Sequence, residues 1–155
     1  MNPLLHKYTT PFHSIPFAKI GTEHFAPAFN QALKKAKDEI EAIREDPSEP
    51  SFENTVEALD AAGEDLNRVS SVLFNLNHAE TNDRIQGLTR EFAPKLTEFR
   101  NDITLDPVLF RRIEKVYRST EKQQLSEEQQ MLLDKTYRNF IRSGAMLNAD
   151  SKKEF

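Results

Sequence analysis

Four imidazoles, His6, His13, His24 and His78, are the side chains best suited to bind a metal or move a proton near neutral pH. A zincin helix places His at i and i+4, so that both rings reach one metal, with Glu beside the first His as general base. Here the four histidines are followed by Lys7, Ser14, Phe25 and Ala79, so that pattern is absent. The inverted H-x-x-E-H order fails as well, because Ile20 stands where the first His would precede Glu23-His24. Glu23-His24 is the one tight acid–histidine neighbour. Adjacent residues point to different sides of a helix, so a helix-start role is expected, with Glu23 complementing the dipole and His24 making a local or interlobe hydrogen bond. His78 falls in an expected turn, with a solvated or capping role.

Other chemistry is equally incomplete. Cysteine is absent, which excludes disulfides, thiolate zinc sites and cysteine nucleophiles. No G-x-S-x-G elbow occurs, and Gly21, Gly63, Gly87 and Gly144 are too scattered to cradle a phosphate. The basic runs Lys34-Lys35-Ala36-Lys37 and Arg111-Arg112 lie beside acidic residues and away from stacking aromatics, and are expected to be solvated helix faces. Carboxylates are so evenly spread that pairing two as a glycosidase dyad would be arbitrary. No catalytic, cofactor-binding or metal-binding residue is therefore assigned.

The elements that would position any site are helical. The chain has 155 residues, about one domain, and carries Lys+Arg 21 against Asp+Glu 25, a net charge of −4 that disfavours nucleic acid and anionic membrane as partners. It has no run of apolar residues long enough to span a bilayer, the start Met1-Asn2-Pro3-Leu4-Leu5 is not laid out as a signal peptide, and a soluble protein is expected. Residues 1–21 interleave Pro3, Pro11 and Pro16 with Tyr8, Phe12, Ile15 and Phe17, which predicts an extended arm with apolar anchors.

Residues 22–155 form the helical domain. With Thr22 as N-cap, Phe25, Phe29, Leu33, Ala36, Ile40 and Ile43 make one helical stripe ending at Asp46-Pro47. Ser51 caps a second helix carrying Phe52, Val56, Leu59, Leu66, Val69, Leu73 and Leu76, with Gly63 marking a close helix crossing. After a turn at 77–81, Thr81 or Asn82 caps a third helix with Ile85, Leu88, Phe92, Leu96, Phe99 and Ile103, kinked at Pro94. Asp106-Pro107 opens the fourth, with Leu109, Ile113 and Val116 or Tyr117 inward. Ser126-Glu127-Glu128-Gln129 is a capping box opening the fifth, with Leu132, Leu133, Thr136, Tyr137 and Phe140 buried. The fold class is all-α, a bundle-like lobe of about five helices behind the arm. Asn148-Ala149-Asp150 reads as the cap of a further helix cut at its first turn.

The order of segments resembles the N-terminal region of the thimet oligopeptidase, oligopeptidase A and peptidyl-dipeptidase family of zinc metallopeptidases, most closely the bacterial peptidyl-dipeptidases. Carrying the likeness are Asn2-Pro3-Leu4-Leu5, Glu23-His24-Phe25-Ala26-Pro27-Ala28-Phe29, Ser51-Phe52-Glu53-Asn54-Thr55-Val56-Glu57-Ala58-Leu59 and Val72-Leu73-Phe74-Asn75-Leu76. Glu91-Phe92-Ala93-Pro94-Lys95-Leu96, Leu109-Phe110-Arg111-Arg112-Ile113, Glu128-Gln129 with Leu132-Leu133, and Tyr137-Arg138-Asn139-Phe140-Ile141-Arg142-Ser143-Gly144-Ala145 continue it in order. The resemblance implies that a longer parent is a zinc peptidase acting on oligopeptides, with the zinc ligands and general base on later helices. This segment would bind no zinc, would be inactive alone, and would help wall a channel for short peptides. Its partners would be the oligopeptide substrate of the parent and the missing C-terminal catalytic lobe. The implied location is cytoplasmic, or periplasmic if a leader was removed. On an isolated piece, stripes such as Phe92, Leu96 and Phe99 would be exposed as a broad apolar surface. The alternative is a free-standing helical domain, without enzymatic activity, that holds a peptide or a partner helix.

Overall fold

The computed structural model describes residues 2–6, 8, 12, 14–79 and 82–144. Among them every regular element is helical: α1 (Phe25–Glu45), α2 (Ala58–Ala61), α3 (Glu64–Ala79), α4 (Asp83–Thr104), α5 (Pro107–Arg118) and α6 (Glu127–Arg142). The fold is all-α, as the apolar spacing predicts. Ahead of α1 lie short 3-10 turns, among them Pro3–Leu5, Phe17–Lys19 and Thr22–His24.

Local chemistry accounts for several helix starts. The Asp106 carboxylate accepts from the amides of Val108 at 2.7 Å and Leu109 at 3.1 Å, and Pro107 takes the first helical position of α5. Ser126 and Gln129 close a reciprocal box at α6, with the Gln129 amide donating to Ser126 Oγ at 3.2 Å and the Ser126 amide to Gln129 Oε1 at 3.0 Å. Asn82 caps α4 through Oδ1, which accepts from the amides of Arg84 and Ile85. Ser51 likewise accepts from the Asn54 amide, but the helix it opens is π-helical over Phe52–Glu57 before tightening into α2.

Four expectations are corrected. Thr22 is not the N-cap. The cap is Gly21, whose carbonyl accepts from the His24 amide at 3.1 Å and whose N–H donates to the His24 ring at 2.9 Å. The helix from Ser51 does not run on through Gly63: it stops at Ala62 and restarts at Glu64, because Gly63 takes φ +78°, a left-handed conformation open to glycine. A β-carbon there would meet Ala36 at 3.6 Å, an ordinary contact, so conformation and not a tight crossing requires the glycine. Asn77 and His78 are in the last turn of α3, since nothing before Ala79 breaks the helix. Finally, Phe92 and Leu96 are only 1% and 7% exposed and Phe99 is half-buried. Phe92 stacks on Phe29 at a centroid separation of 3.9 Å, so the stripe has a partner within the chain. Large exposed apolar side chains among the described residues are Phe12, Phe17 and Met131. Thr81 and the suggested cap at Asn148-Ala149-Asp150 lie outside the described residues.

The chain divides into two compact units, residues 1–38 with 63–96, and residues 39–62 with 97–155, the divisions falling inside α1, between α2 and α3, and inside α4. In the first, the buried side chains include Leu4, Phe25, Phe29, Leu66, Val69, Leu73, Ile85 and Phe92. In the second, Ile43, Leu109, Phe110, Ile113 and Phe140 form one cluster and Phe52, Val56, Val116 and Leu133 another. Burial of these stripes, period 3.6 on every long helix, is the dominant favourable contribution.

Candidate functional site

The acid–histidine neighbours at the start of α1 form a joint, not a proton-transfer pair. With Nδ1 accepting from the Gly21 amide, the neutral His24 ring carries its proton on Nε2. The His24 carbonyl accepts from Asn2 Nδ2 at 2.7 Å, and Asn2 Oδ1 in turn caps the Pro3–Leu5 turn through the Leu4 amide at 3.0 Å. Among the described residues no hydrogen bond joins Glu23 to His24. The Glu23 carboxylate instead lies over Gly21, where a β-carbon would overlap it. His6 and His78 are exposed. No three His, Asp or Glu side chains converge among the described residues, and His24 has its Nδ1 occupied, so this donor set does not fit a zinc ion.

A charged latch in the same unit holds the N-terminal turn. Arg68 on α3 donates Nε to the Leu4 carbonyl at 3.3 Å and pairs with Asp65, which also accepts from Lys35 Nζ at 2.6 Å. The Lys35 hydrogen bond, then Arg68, keeps the Asp65 carboxyl below the usual aspartate range. Burial pushes the Tyr8 hydroxyl up, with Arg68 opposing. Phe17, Ile20, Phe25, Leu76 and Ile85, with Thr22 and Asn82, line a groove of about 450 Å³ in this unit.

In the second unit the notable group is Arg112. The sequence suggests a solvated basic run, yet Arg112 is only 7% exposed. Its Nη1 donates to the Asp46 carbonyl at 2.7 Å and the Ser48 carbonyl at 3.5 Å, and Nη2 reaches Asn54 Oδ1 at 3.3 Å and Asp46 Oδ2 at 3.5 Å. Asn54 Nδ2 donates to the Glu49 carbonyl, so guanidinium and amide together hold the loop at 46–51. Hydrogen bonds from Ser48, then Arg112, hold the Asp46 carboxyl low. The missed signal was spacing: position 112 lies between Leu109, Ile113 and Val116 on one helical face. Glu121 accepts from the Phe52 amide at 3.2 Å, and Lys122 sits 3.8 Å over the Tyr117 ring while bound to Asp134. The Asp134 hydrogen bond, then the Tyr117 side chain's, raises the Lys122 ammonium's pKa.

Two surface grooves complete the second unit. One, about 610 Å³, runs past Glu49, Arg111, Glu114, Lys115 and Arg118, where Lys115 pairs with Glu49 and Arg118 with Glu114. The other, about 490 Å³, is lined by Lys135, Thr136, Arg138, Asn139 and Arg142 of α6. These arrangements bind, cap and clamp; none of them assembles a nucleophile, its base and an oxyanion donor.

Residues 29–152 match the family model for the N-terminal domain of neurolysin and thimet oligopeptidase. The chain is 38% identical over 154 residues to a dipeptidyl carboxypeptidase of Escherichia coli, covering 99% of this chain and 23% of that protein. A dipeptidyl carboxypeptidase of Salmonella typhimurium is 36% identical over 151 residues, covering 97% of this chain and 22% of its own length. Oligopeptidase A of Escherichia coli is 25% identical over 154 residues, again 22% of its length. The chain thus spans less than a quarter of these relatives.

Proposed function

Because the chain belongs to the N-terminal domain family of neurolysin and thimet oligopeptidase, we propose that it serves as the N-terminal helical lobe of a longer zinc-dependent peptidase that cleaves short peptides. The observation that carries this reading is the likeness to two dipeptidyl carboxypeptidases over nearly the whole of this chain and under a quarter of theirs. The lobe contributes rigid helices to the wall of a channel that admits oligopeptides and excludes folded proteins. In this reading the zinc is held by side chains beyond this segment, as the resemblance implies. When bound there, the metal supplies an activated water and polarises the scissile carbonyl. The residues present here exclude water with buried stripes and hold loops in place with Arg112 and Arg68. The proposed compartment is the cytoplasm.

The test reads the coding DNA past the Phe155 codon and purifies the whole product. A continuation encoding H-E-x-x-H, with hydrolysis of internally quenched short peptides that a chelator abolishes and zinc restores, is the expected result. A stop codon directly after Phe155, or a long product that cleaves no short peptide, overturns the proposal; the first outcome leaves a helical binding domain.

A further inference from the structure

Tyr117, in the last turn of α5, and Tyr137, in the middle of α6, lie face to face, with ring centroids 4.0 Å apart and planes within 12° of parallel. Aromatic pairs usually keep their centroids about 4.5–7 Å apart, so this contact is a close one. Each tyrosine follows a fully buried residue by one helical turn, Ile113 on α5 and Leu133 on α6, which brings both rings to the seam where the two helices pack. Lys122, itself held by Asp134 at 2.7 Å, sits 3.8 Å from the centre of the Tyr117 ring and fixes that ring where Tyr137 meets it. Phe110 extends the stack from Tyr137 at 5.9 Å, and Phe140 extends it from Phe110 at 6.5 Å. Both tyrosines are partly buried, so a ring of another molecule reaches them less readily than they reach each other.

Composition gives the pair its chemistry. The chain has no cysteine and no tryptophan but three tyrosines, so tyrosine is the side chain from which a one-electron oxidant draws most readily. A tyrosyl radical carries its unpaired electron partly on the ring carbons ortho to oxygen, in orbitals perpendicular to the ring, and stacked rings present those orbitals to each other. We infer that Tyr117 and Tyr137 form an oxidative crosslinking site, at which a one-electron oxidant joins α5 to α6 through a dityrosine bond. Each phenol gives one electron to the oxidant and its hydroxyl proton to water. The two radicals couple through one new carbon–carbon bond between ortho carbons, and the two ortho hydrogens then pass by way of water to the oxygens, restoring both phenols. Two electrons and two protons leave in all, and two equivalents of the oxidant, a radical or a high-valent metal complex, take up the electrons. Stacking turns the coupling from a bimolecular encounter into a step within one molecule. The inference goes beyond the peptidase proposal and does not rest on it, since it needs only the two helices.

Brief illumination of the whole protein with ruthenium tris(bipyridyl) and persulfate, which generates a high-valent one-electron oxidant, tests the site. Peptide mapping by mass spectrometry is expected to find Tyr117 joined to Tyr137 within one chain, with dityrosine fluorescence rising in step. Tyr117→Phe and Tyr137→Phe keep an aromatic ring in the stack, and each should abolish that linked peptide while leaving the melting temperature close to the parent's. In concentrated urea, where the helices no longer hold the rings together, the yield of the linked peptide from the parent protein should fall several-fold. Consumption of tyrosine without the Tyr117–Tyr137 peptide overturns the inference. A yield in urea equal to that of the folded protein overturns it too, because the stacked geometry would then play no part. So does a link found only between isotopically distinguished copies.

Discussion

Replacing Gly63 separates two explanations for a glycine that both place it between helices. Its φ of +78° puts an L-residue in the left-handed region, which costs roughly 1–2 kcal/mol for alanine. Stiffening the unfolded chain offsets about 0.4–1 kcal/mol of that, leaving Gly63→Ala about 1 kcal/mol less stable. Space adds nothing, because the new β-carbon would meet Ala36 at 3.6 Å. For a chain of this size 1 kcal/mol lowers the melting temperature by about 2–4 °C. Asparagine tolerates the left-handed region far better than alanine, so Gly63→Asn should lose less than Gly63→Ala although it is larger. Thermal melts followed by far-ultraviolet circular dichroism, with urea titrations in parallel, give both numbers. If Gly63→Asn proves the less stable of the two, crowding and not backbone conformation is the reason for the glycine. A Gly63→Ala protein as stable as the parent would refute the reasoning altogether.

Two further outcomes follow from the clamps. Arg112→Met removes the donor that serves the Asp46 carbonyl and Asn54 Oδ1, and should destabilise by about 1–3 kcal/mol with faster hydrogen exchange over residues 46–55; unchanged exchange there would show that the guanidinium does not hold the loop. Asp65 has a depressed pKa in the folded protein, so it contributes stability that is present above its unfolded value of about 3.9 and is lost as pH falls through the folded one. Asp65→Asn should therefore lower stability at pH 7 and flatten the decline on acidification, and an acid limb as steep as the parent's would contradict the assignment.

Helix existence was legible because each long helix keeps a single apolar stripe, and Asp106, Ser126 and Asn82 cap through side chains that announce themselves. The break at Gly63 was not, since a glycine within an apolar stripe has the same spacing whether the helix continues or turns. The N-cap at Gly21 was hidden for another reason: the side chain that completes it, His24, is not among the usual capping types. Arg112 was hidden by its neighbour, because a pair of arginines reads as surface until their helical positions are separated. No catalytic assignment arose from the residues, and substrate class entered only through likeness to longer proteins.

The interleaved organisation of the two units has a consequence for synthesis on the ribosome. The first unit spans residues 1–38 and 63–96, so its membership is complete only once Leu96 has emerged. The intervening stretch 39–62 belongs with residues 97 onward and is made long before them. Arg112 follows Asp46 by 66 positions, so at about 5–20 residues per second the loop waits roughly 3–13 s for its clamp. During that interval Phe52 and Val56, which end in one cluster with Val116 and Leu133, stand uncovered on the nascent chain. Slow codons placed within residues 62–112 would lengthen that exposure.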